Sequence, residues 1–327
     1  MRRIGLAVLL TLIVTVAPFA VGAQQMGKAF RIGFLSTFSP SDVPRWREGF
    51  IKGLRDLGYA EGRDIVLEYR HAEGRPERLS ALAVELVRLN VDVLVVETTP
   101  ASLAAKQATT TIPIVMTIVG DPVKAGLIAS LGRPGGNITG LSLQLSDASA
   151  KRLQLLHEAA PLVSRVALLW NSASPVTPPQ LREVEAAAPA LGMALESLAV
   201  QTPADLDKAV QEAIRRRTGA LLVLDDFLIT KHIRQIGALT TKNRLPAIAA
   251  LAEFAESGGL ISYGPNYPDL SRLAATYVDK ILKGAKPAEL PVAQPTTFQL
   301  VINMKTAKAL GLRIPQSVLV RADEIIQ

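Results

Sequence analysis

The chain has 327 residues, of which 49% are apolar and 20% are charged. This length and composition suit one large α/β domain or two linked domains, and they exclude a disordered chain. The absence of cysteine excludes disulfides, thiolate zinc sites, iron–sulfur clusters, a cysteine nucleophile and a lipid-modified cysteine. The net charge of +7 is a mild excess, which does not by itself indicate a nucleic-acid partner.

The N-terminal residues 1–23 predict a secretory signal peptide. Arg2 and Arg3 precede an apolar run over residues 4–17, and small residues follow at 21–23, an order typical of such leaders. A membrane anchor is the alternative, but the run is shorter than the roughly 20 residues that span a bilayer. We therefore expect cleavage after Ala23, a mature net charge of +5 and export to the periplasm of a Gram-negative bacterium.

From residue 30 onward, short apolar runs alternate with amphipathic stretches. The first half predicts five strands, over residues 31–36, 65–70, 91–96, 112–118 and 138–143. Helices are predicted between them, over residues 42–57, 76–89 and 100–108, with a further short helix after Asp121. The third strand, VDVLVV, is apolar almost throughout, which is typical of a parallel strand covered on both faces.

The same alternation begins again in the second half of the chain. A helix over residues 147–160 is followed by strands over 165–170, 194–199, 220–224, 246–249 and 260–262, then by a helix over 269–283 and a strand over 298–302. Repeated strand–helix units favour parallel pairing through right-handed crossovers. The pattern therefore predicts an α/β protein with two doubly wound, three-layer (αβα) lobes. No Pro/Gly/Ser-rich linker lies near residues 143–147, which indicates a hinge.

The sequence lacks the common catalytic motifs. It has no G-x-S-x-G elbow, Walker loop, H-E-x-x-H pair or G-x-G-x-x-G turn. His71 and His232 stand alone, and His157 lies on a predicted helix where a surface position is the simpler interpretation. Asp225 and Asp226 could form an acid/base pair, but adjacent residues after a strand point in opposite directions, which favours one ligand contact and one helix cap. We expect no enzyme activity, no cofactor and no metal.

Ligands of open parallel sheets bind beyond the carboxyl ends of the strands, where helix N-termini offer free amides. Small polar side chains occupy most of the predicted strand ends and indicate a polar pocket for a small molecule. The candidates are Ser36, Thr37, Thr98, Thr99, Thr117, Asp121, Asn171, Asp225, Ala250 and Tyr263.

Three of these positions indicate the charges of the ligand. Thr98 before Pro100 predicts a capped helix start whose exposed amides would hold an anion such as a carboxylate. A free oxygen of Asp121 or Asp225 would suit an ammonium group, although Asp121 also suits a helix cap. The combination suggests, as a hypothesis, that the ligand is an amino acid.

Short strings occur in a specific order along the mature chain: GFLS at 33–36, TPA at 99–101, GDP at 120–122, RPGGNITG at 133–140, GGL at 258–260, KGAKP at 283–287 and VIN at 301–303. In order and spacing they resemble the substrate-binding proteins of ABC transporters, in the branch of tryptophan- and tyrosine-type binding proteins. The resemblance implies a type I periplasmic-binding fold, in which two lobes joined by crossover strands close on a ligand.

The resemblance also implies a division of the chain and a set of partners. The N-terminal lobe would comprise residues 24–143 plus about 263–288, and the C-terminal lobe 144–262 plus about 289–327. The pocket would lie at the same strand ends, with Asp42 and Ser142 added. Implied partners are a small-molecule ligand and a permease with its cytoplasmic ATPase, with no nucleic acid, and we expect a monomer. Residues 36–40 depart from the pattern of aromatic amino-acid binders, so other amino acids, small amides and carboxylates stay open as ligands.

Other protein classes share parts of this description. A sensor domain that presents its ligand to a membrane receptor would use the same pocket. Sugar-responsive repressors have the same two-lobed fold but begin with a DNA-binding helix pair, where this chain has its predicted signal peptide. An exported α/β enzyme is disfavoured because the sequence offers no nucleophile–base pair.

Overall fold

The computed structural model describes residues 29–327, and the predicted signal peptide lies outside them. These residues form two lobes, each of which is built around one β-sheet. Alternate residues of the central strands enter different apolar cores: Val93 and Val95 enter one, and Leu94 and Val96 another. Each sheet is therefore covered on both faces, and the predicted α/β architecture of two three-layer lobes is confirmed.

The first sheet has the strand order β2-β1-β3-β4-β5, and all of its strands are parallel. The elements of this part of the chain are β1 (Phe30–Ser36), α1 (Pro44–Asp56), β2 (Ile65–His71), α2 (Leu79–Arg88), β3 (Val93–Glu97), α3 (Thr99–Ala108), β4 (Ile114–Met116) and β5 (Ile138–Gly140).

The second sheet has the order β12-β11-β10-β9-β8-β6-β7, in which only the β10–β11 pair is antiparallel. Its strands are β6 (Arg165–Asn171), β7 (Ala194–Val200), β8 (Ala220–Val223), β9 (Ala247–Ala249), β10 (Ile261–Pro265), β11 (Phe298–Asn303) and β12 (Glu324–Ile326). The helices of this half of the chain are α4 (Leu145–Ala159), α5 (Thr177–Ala187), α6 (Pro203–Arg215), α7 (Phe227–Lys231), α8 (Ile233–Lys242), α9 (Ala252–Glu256), α10 (Tyr267–Leu282), α11 (Met304–Ala309) and α12 (Gln316–Leu319).

The chain crosses between the lobes three times. The first crossing joins β5 to α4, and the second follows β10, because α10 packs against α1 of the first lobe. After α10 the chain pairs with the edge of the first sheet through the bridge between Leu141 and Ala293. It then returns to the second sheet as β11. Both lobes therefore contain segments that are distant in sequence.

The predicted strands and helices are present with ends that differ by up to about three residues, and the structure adds β12, α11 and α12, which the sequence pattern does not predict. The predicted element that does not form is the short helix after Asp121. A short helix is predicted there, but the chain forms hydrogen-bonded turns, in which the Ala125 amide donates to Asp121 O (2.9 Å) and the Leu127 amide to Pro122 O (2.8 Å). The helix prediction is wrong because Gly126, at φ +68°, ends the first turn before a second can form. No helix of the described residues has the length and apolar character needed to cross a membrane.

Candidate functional site

A cavity, here named the inner cavity, lies between the two lobes at the carboxyl ends of both sheets. Together with the open solvent at its mouth, it encloses about 450 Å³. The first lobe contributes residues 98–100, the first crossing contributes Leu143 and Leu145, and the second lobe contributes residues 225–227. A ligand held there would contact both lobes at once.

Aromatic side chains form one wall of the inner cavity. Trp46 on α1 is buried and stacks on Tyr267, at the start of α10, with ring centroids 4.7 Å apart and planes inclined by 10°. Phe38 meets Trp46 edge to face at 5.5 Å. Together with Phe227 these rings line the cavity, and they offer flat apolar surfaces to a ligand.

The cavity is therefore less polar than the sequence indicates. Its aromatic wall is extended by aliphatic side chains, namely Ile118, Leu143, Leu145 and Val176. The prediction of a polar pocket followed from strand ends alone. It missed side chains that reach the cavity from helices and from the crossing segment.

The N-terminus of α3 faces the cavity. The Thr98 hydroxyl caps this helix by accepting from the Ala101 amide (3.4 Å), as predicted, and it shares a 2.6 Å hydrogen bond with the Thr37 hydroxyl. Within the described part of the chain, the Thr99 amide meets no acceptor. The helix start thus offers a free donor and a partial positive charge to the cavity.

The backbone of Thr98 is strained. Its φ of +89° lies where a β-branched residue is rarely found, and such conformations cost about 1–3 kcal/mol. Surrounding contacts hold it there: its amide donates to Ile118 O (3.1 Å) and its carbonyl accepts from the Ser102 hydroxyl (2.8 Å). Strain of this kind concentrates at binding sites.

Asp225 and Asp226 divide their roles between the cavity and a helix cap. Asp226 caps α7 by accepting from the Ile229 amide (2.9 Å), and it also accepts from the Asn171 side-chain amide (2.6 Å). This confirms the predicted cap. Asp225 lines the cavity, and its Oδ2 lies 2.6 Å from Nη2 of Arg152. Burial raises the pKa of the Asp225 carboxyl, while the Arg152 guanidinium opposes that shift.

The candidates from the sequence fall into three groups in the structure. Thr98, Thr99 and Asp225 line the inner cavity. Others are buried beside it and bond to protein groups, namely Ser36 to Glu97, Thr37 to Thr98, Thr117 to Val96 O, Ser142 to Gly120 O and Asn171 to Asp226. The remaining four lie elsewhere: Asp121 bonds the Lys124 amide, Tyr263 stacks on Phe298, and Asp42 and Ala250 line neighbouring grooves.

A larger space, here named the outer cleft, adjoins the inner cavity. It encloses about 1420 Å³ including open solvent, and Pro100 and Phe227 line both spaces. Because one of these side chains belongs to each lobe, the boundary between cavity and cleft depends on how the lobes approach each other.

Ion pairs join the lobes around the cavity. Lys231 on α7 lies 3.7 Å from Asp42, Arg45 on α1 lies 3.0 Å from Glu256 on α9, and Lys124 lies 3.9 Å from Glu183 on α5. Residues 29–327 contain no cluster of three or more histidine, aspartate or glutamate side chains able to hold a metal ion.

Known proteins of similar structure share this architecture. The ABC domain of Streptococcus pneumoniae in complex with L-Trp is 28% identical, with a TM-score of 0.84 over 91% of this chain and 100% of that one. A substrate-binding protein with adhesive properties from Clostridium difficile, in its ligand-free, open form, is 26% identical over the same shares, with a TM-score of 0.69. These matches confirm the type I periplasmic-binding-like fold.

The sequence comparisons agree with the structural ones. A tyrosine-binding protein of Clostridioides difficile is 28% identical over 286 residues, which cover 88% of this chain and 82% of that protein. The family described as ABC transporter substrate binding protein matches residues 35–326, which is almost the entire described chain. The protein therefore belongs to the ABC transporter substrate-binding protein family.

Proposed function

We propose that this protein is the periplasmic solute-binding component of an ABC importer, and that it captures an amino acid with an apolar or aromatic side chain and delivers it to the membrane permease. One observation carries the ligand assignment. The inner cavity brings a buried carboxylate, Asp225, a free helix N-terminus at Thr99 and an aromatic wall around Trp46 into one volume between the lobes.

Each wall suits one part of such a ligand. The ammonium group pairs with the Asp225 carboxylate, and the carboxylate group accepts from the Thr99 amide at the positive end of α3. The side chain packs against Trp46 and Tyr267. The relatives support this assignment, because one is named for tyrosine and another is bound to L-Trp.

Capture requires the two lobes to close on the ligand. The chain superposes better on the L-Trp complex than on the ligand-free, open protein, with TM-scores of 0.84 and 0.69 at similar identity. This difference supports a closed arrangement of the lobes. A ligand stabilises the closed form only through contacts that the open form lacks, and contacts to both Thr99 and Asp225 meet that condition.

Calorimetric titration of the mature protein with each proteinogenic amino acid tests the ligand assignment. We expect the tightest binding among amino acids with aromatic or large apolar side chains, and weak or no binding of acidic ones. Native mass spectrometry of freshly purified protein should show a retained ligand of matching mass. Heats equal to buffer for every amino acid would refute the assignment.

A deletion strain tests the transport role separately. Loss of uptake of the bound amino acid, restored by the wild-type gene, is expected for an importer component. Unchanged uptake in the presence of measured binding would instead favour a sensor domain that uses the same cavity.

A further inference from the structure

Arg152 holds Asp225 from behind the inner cavity. It lies two turns along α4, its side chain is 0% exposed, and it is not part of the cavity lining. Its Nη2 donates to Asp225 Oδ2 (2.6 Å) and its Nε donates to Tyr263 O (2.9 Å). The guanidinium is therefore fixed by Asp225, in the loop after β8, and by the carbonyl of Tyr263 on β10, and its Nη1 also lies 3.5 Å from the Ser149 hydroxyl on its own helix.

Gln180 on α5 holds the backbone of the same aspartate. Its side-chain amide donates to Asp225 O (2.8 Å), and its Oε1 accepts from the Asp225 amide (2.9 Å). Only Oδ2 of Asp225 bonds to Arg152, and within the described residues Oδ1 meets no donor. The carboxylate is thus held at one oxygen and along its backbone, while the other oxygen is left for a ligand.

Among the charged groups around Asp225, Arg152 is the one that favours the ionised form of the Asp225 carboxyl. Desolvation raises the pKa of Asp225, and Arg152 is the positive group that opposes this rise. Tyr267 on α10 also faces Asp225, but burial raises its pKa well above the ordinary value, so it stays neutral. Asp226 also lines the cavity, but its two oxygens already accept from the Ile229 amide and the Asn171 side-chain amide. Glu253 on α9 acts on Tyr267.

We propose that Arg152 is a positioning residue that keeps Asp225 ionised and turned toward the inner cavity, so that the ligand ammonium group binds without exchange of a proton. This inference rests on the proposed function, since it requires a cationic amino group at Asp225. Arg152 acts through Asp225 and does not touch the ligand.

The wild-type protein provides the first measurement. Binding heats for its best amino-acid ligand, measured near neutral pH in buffers of different ionisation enthalpy, give the number of protons exchanged. We expect no net exchange. Release of about one proton for each ligand bound would mean that Asp225 is protonated in the free protein, and it would overturn the inference.

The second measurement compares pH profiles of affinity from about pH 6 to about pH 8. Arg152→Gln leaves the desolvation of Asp225 unopposed. At about pH 6 the variant should bind the ligand at least about tenfold more weakly than the wild type does. Its affinity should then rise by up to about tenfold for each unit of increasing pH. Arg152→Lys restores the charge and should return the profile toward that of the wild type. Arg182→Gln, an exposed arginine on α5, is the control and should change nothing.

Glu97 and the histidines also titrate in this range, so at each pH the affinity of each variant is compared with that of the wild type. A pH-independent loss in Arg152→Gln would assign Arg152 a purely structural role and overturn the inference, while wild-type binding remains. Absence of binding by the wild type would refute the proposed function and the inference with it. If Arg152→Gln does not fold, the proton count of the wild type, measured beside that of Glu97→Gln as control, still decides whether Asp225 is ionised in the free protein.

Discussion

Two buried carboxyl groups, Asp225 and Glu97, have opposite surroundings. Asp225 faces a guanidinium at 2.6 Å. Glu97, at the end of β3, is only 3% exposed and is bonded by the Ser36 hydroxyl, so burial raises the pKa of its carboxyl to about 7. The first group is suited to carry charge beside the cavity, whereas the second is suited to carry a proton beneath the strained Thr98.

Removal of the charge at Asp225 should weaken ligand binding. Asp225→Asn keeps the size of the side chain but loses the ion pair with the ligand ammonium, at a cost of about 2 kcal/mol, which is about thirtyfold in Kd. Asp121→Asn is the matched control, because Asp121 lies outside the inner cavity. Calorimetry should show a near wild-type Kd for the control. Equal effects at the two positions would contradict the assignment of Asp225.

Glu97 should make the folded state less stable as pH rises. Its pKa of about 7 exceeds the ordinary glutamate value, so its protonation stabilises the fold fully below about pH 4.5 and this contribution disappears as pH rises through about 7. The loss amounts to about 3 kcal/mol. Urea unfolding at about pH 5 and about pH 8 should therefore show a smaller decline for Glu97→Gln than for the wild type. Glu48→Gln, an exposed position on α1, should retain the wild-type decline.

Local signals in the sequence identified some site residues and missed others. Thr98 and Asp226 are predictable caps, because a capping residue acts on amides three positions away. The sequence does not distinguish Arg152 from other helix residues, because its partner Asp225 is 73 residues distant. The stacking of Trp46 on Tyr267 is likewise a product of tertiary packing, and no local pattern predicts it.

At the level of elements, α1 and α10 pack unusually closely. A Cβ added at Gly49 would lie 2.3 Å from Pro268 O, and one at Gly53 would lie 2.5 Å from Arg272 O. These glycines, one turn apart, let the backbone of α10 approach α1 directly. The contact places Trp46 and Tyr267, one on each helix, in stacking distance at the cavity.

Gly53→Ala should destabilise the first lobe. The added methyl group would clash with backbone atoms that cannot yield cheaply, and such overpacking costs about 1–3 kcal/mol. Thermal unfolding should show a Tm lower by several degrees. Gly136→Ala serves as control, because an added Cβ there meets nothing within 4 Å. Equal Tm values for Gly53→Ala and the control would refute the close packing of α1 on α10.

The sequence predicts which elements form more completely than it predicts how they assemble. Apolar runs and amphipathic periods locate nearly all the strands, because burial on both faces leaves a strong local pattern. The close approach of α10 to Gly49 and Gly53 is not among the predictions from the sequence. The sequence does not show that α10 is the neighbour of α1, because α10 joins the first lobe only after the chain has passed through most of the second.

At the level of the whole molecule, the ion pairs between the lobes should favour closure. Lys231→Met removes the pair with Asp42 (3.7 Å), and because both side chains are partly exposed the loss should be below about 1 kcal/mol. We expect a Kd weaker by about two- to fivefold, and a difference from the wild type that shrinks at high salt.

A matched substitution within one helix isolates this effect. Lys283 pairs with Asp279 on α10 at 2.8 Å, so Lys283→Met breaks an ion pair that does not bridge the lobes. Its Kd should equal that of the wild type at every salt concentration. A change in Kd as large as that of Lys231→Met would show that the pair with Asp42 has no particular role in closure.

The three crossings between the lobes also set the order in which the chain can fold. The face of α1 that carries Gly49 and Gly53 lacks its neighbour α10 until nearly the whole second lobe has been made. Contacts so distant in sequence form slowly. The lobe that is synthesised first is thus completed last, and a protein proposed to be exported unfolded would reach its complete first lobe only after nearly the whole chain has crossed the membrane.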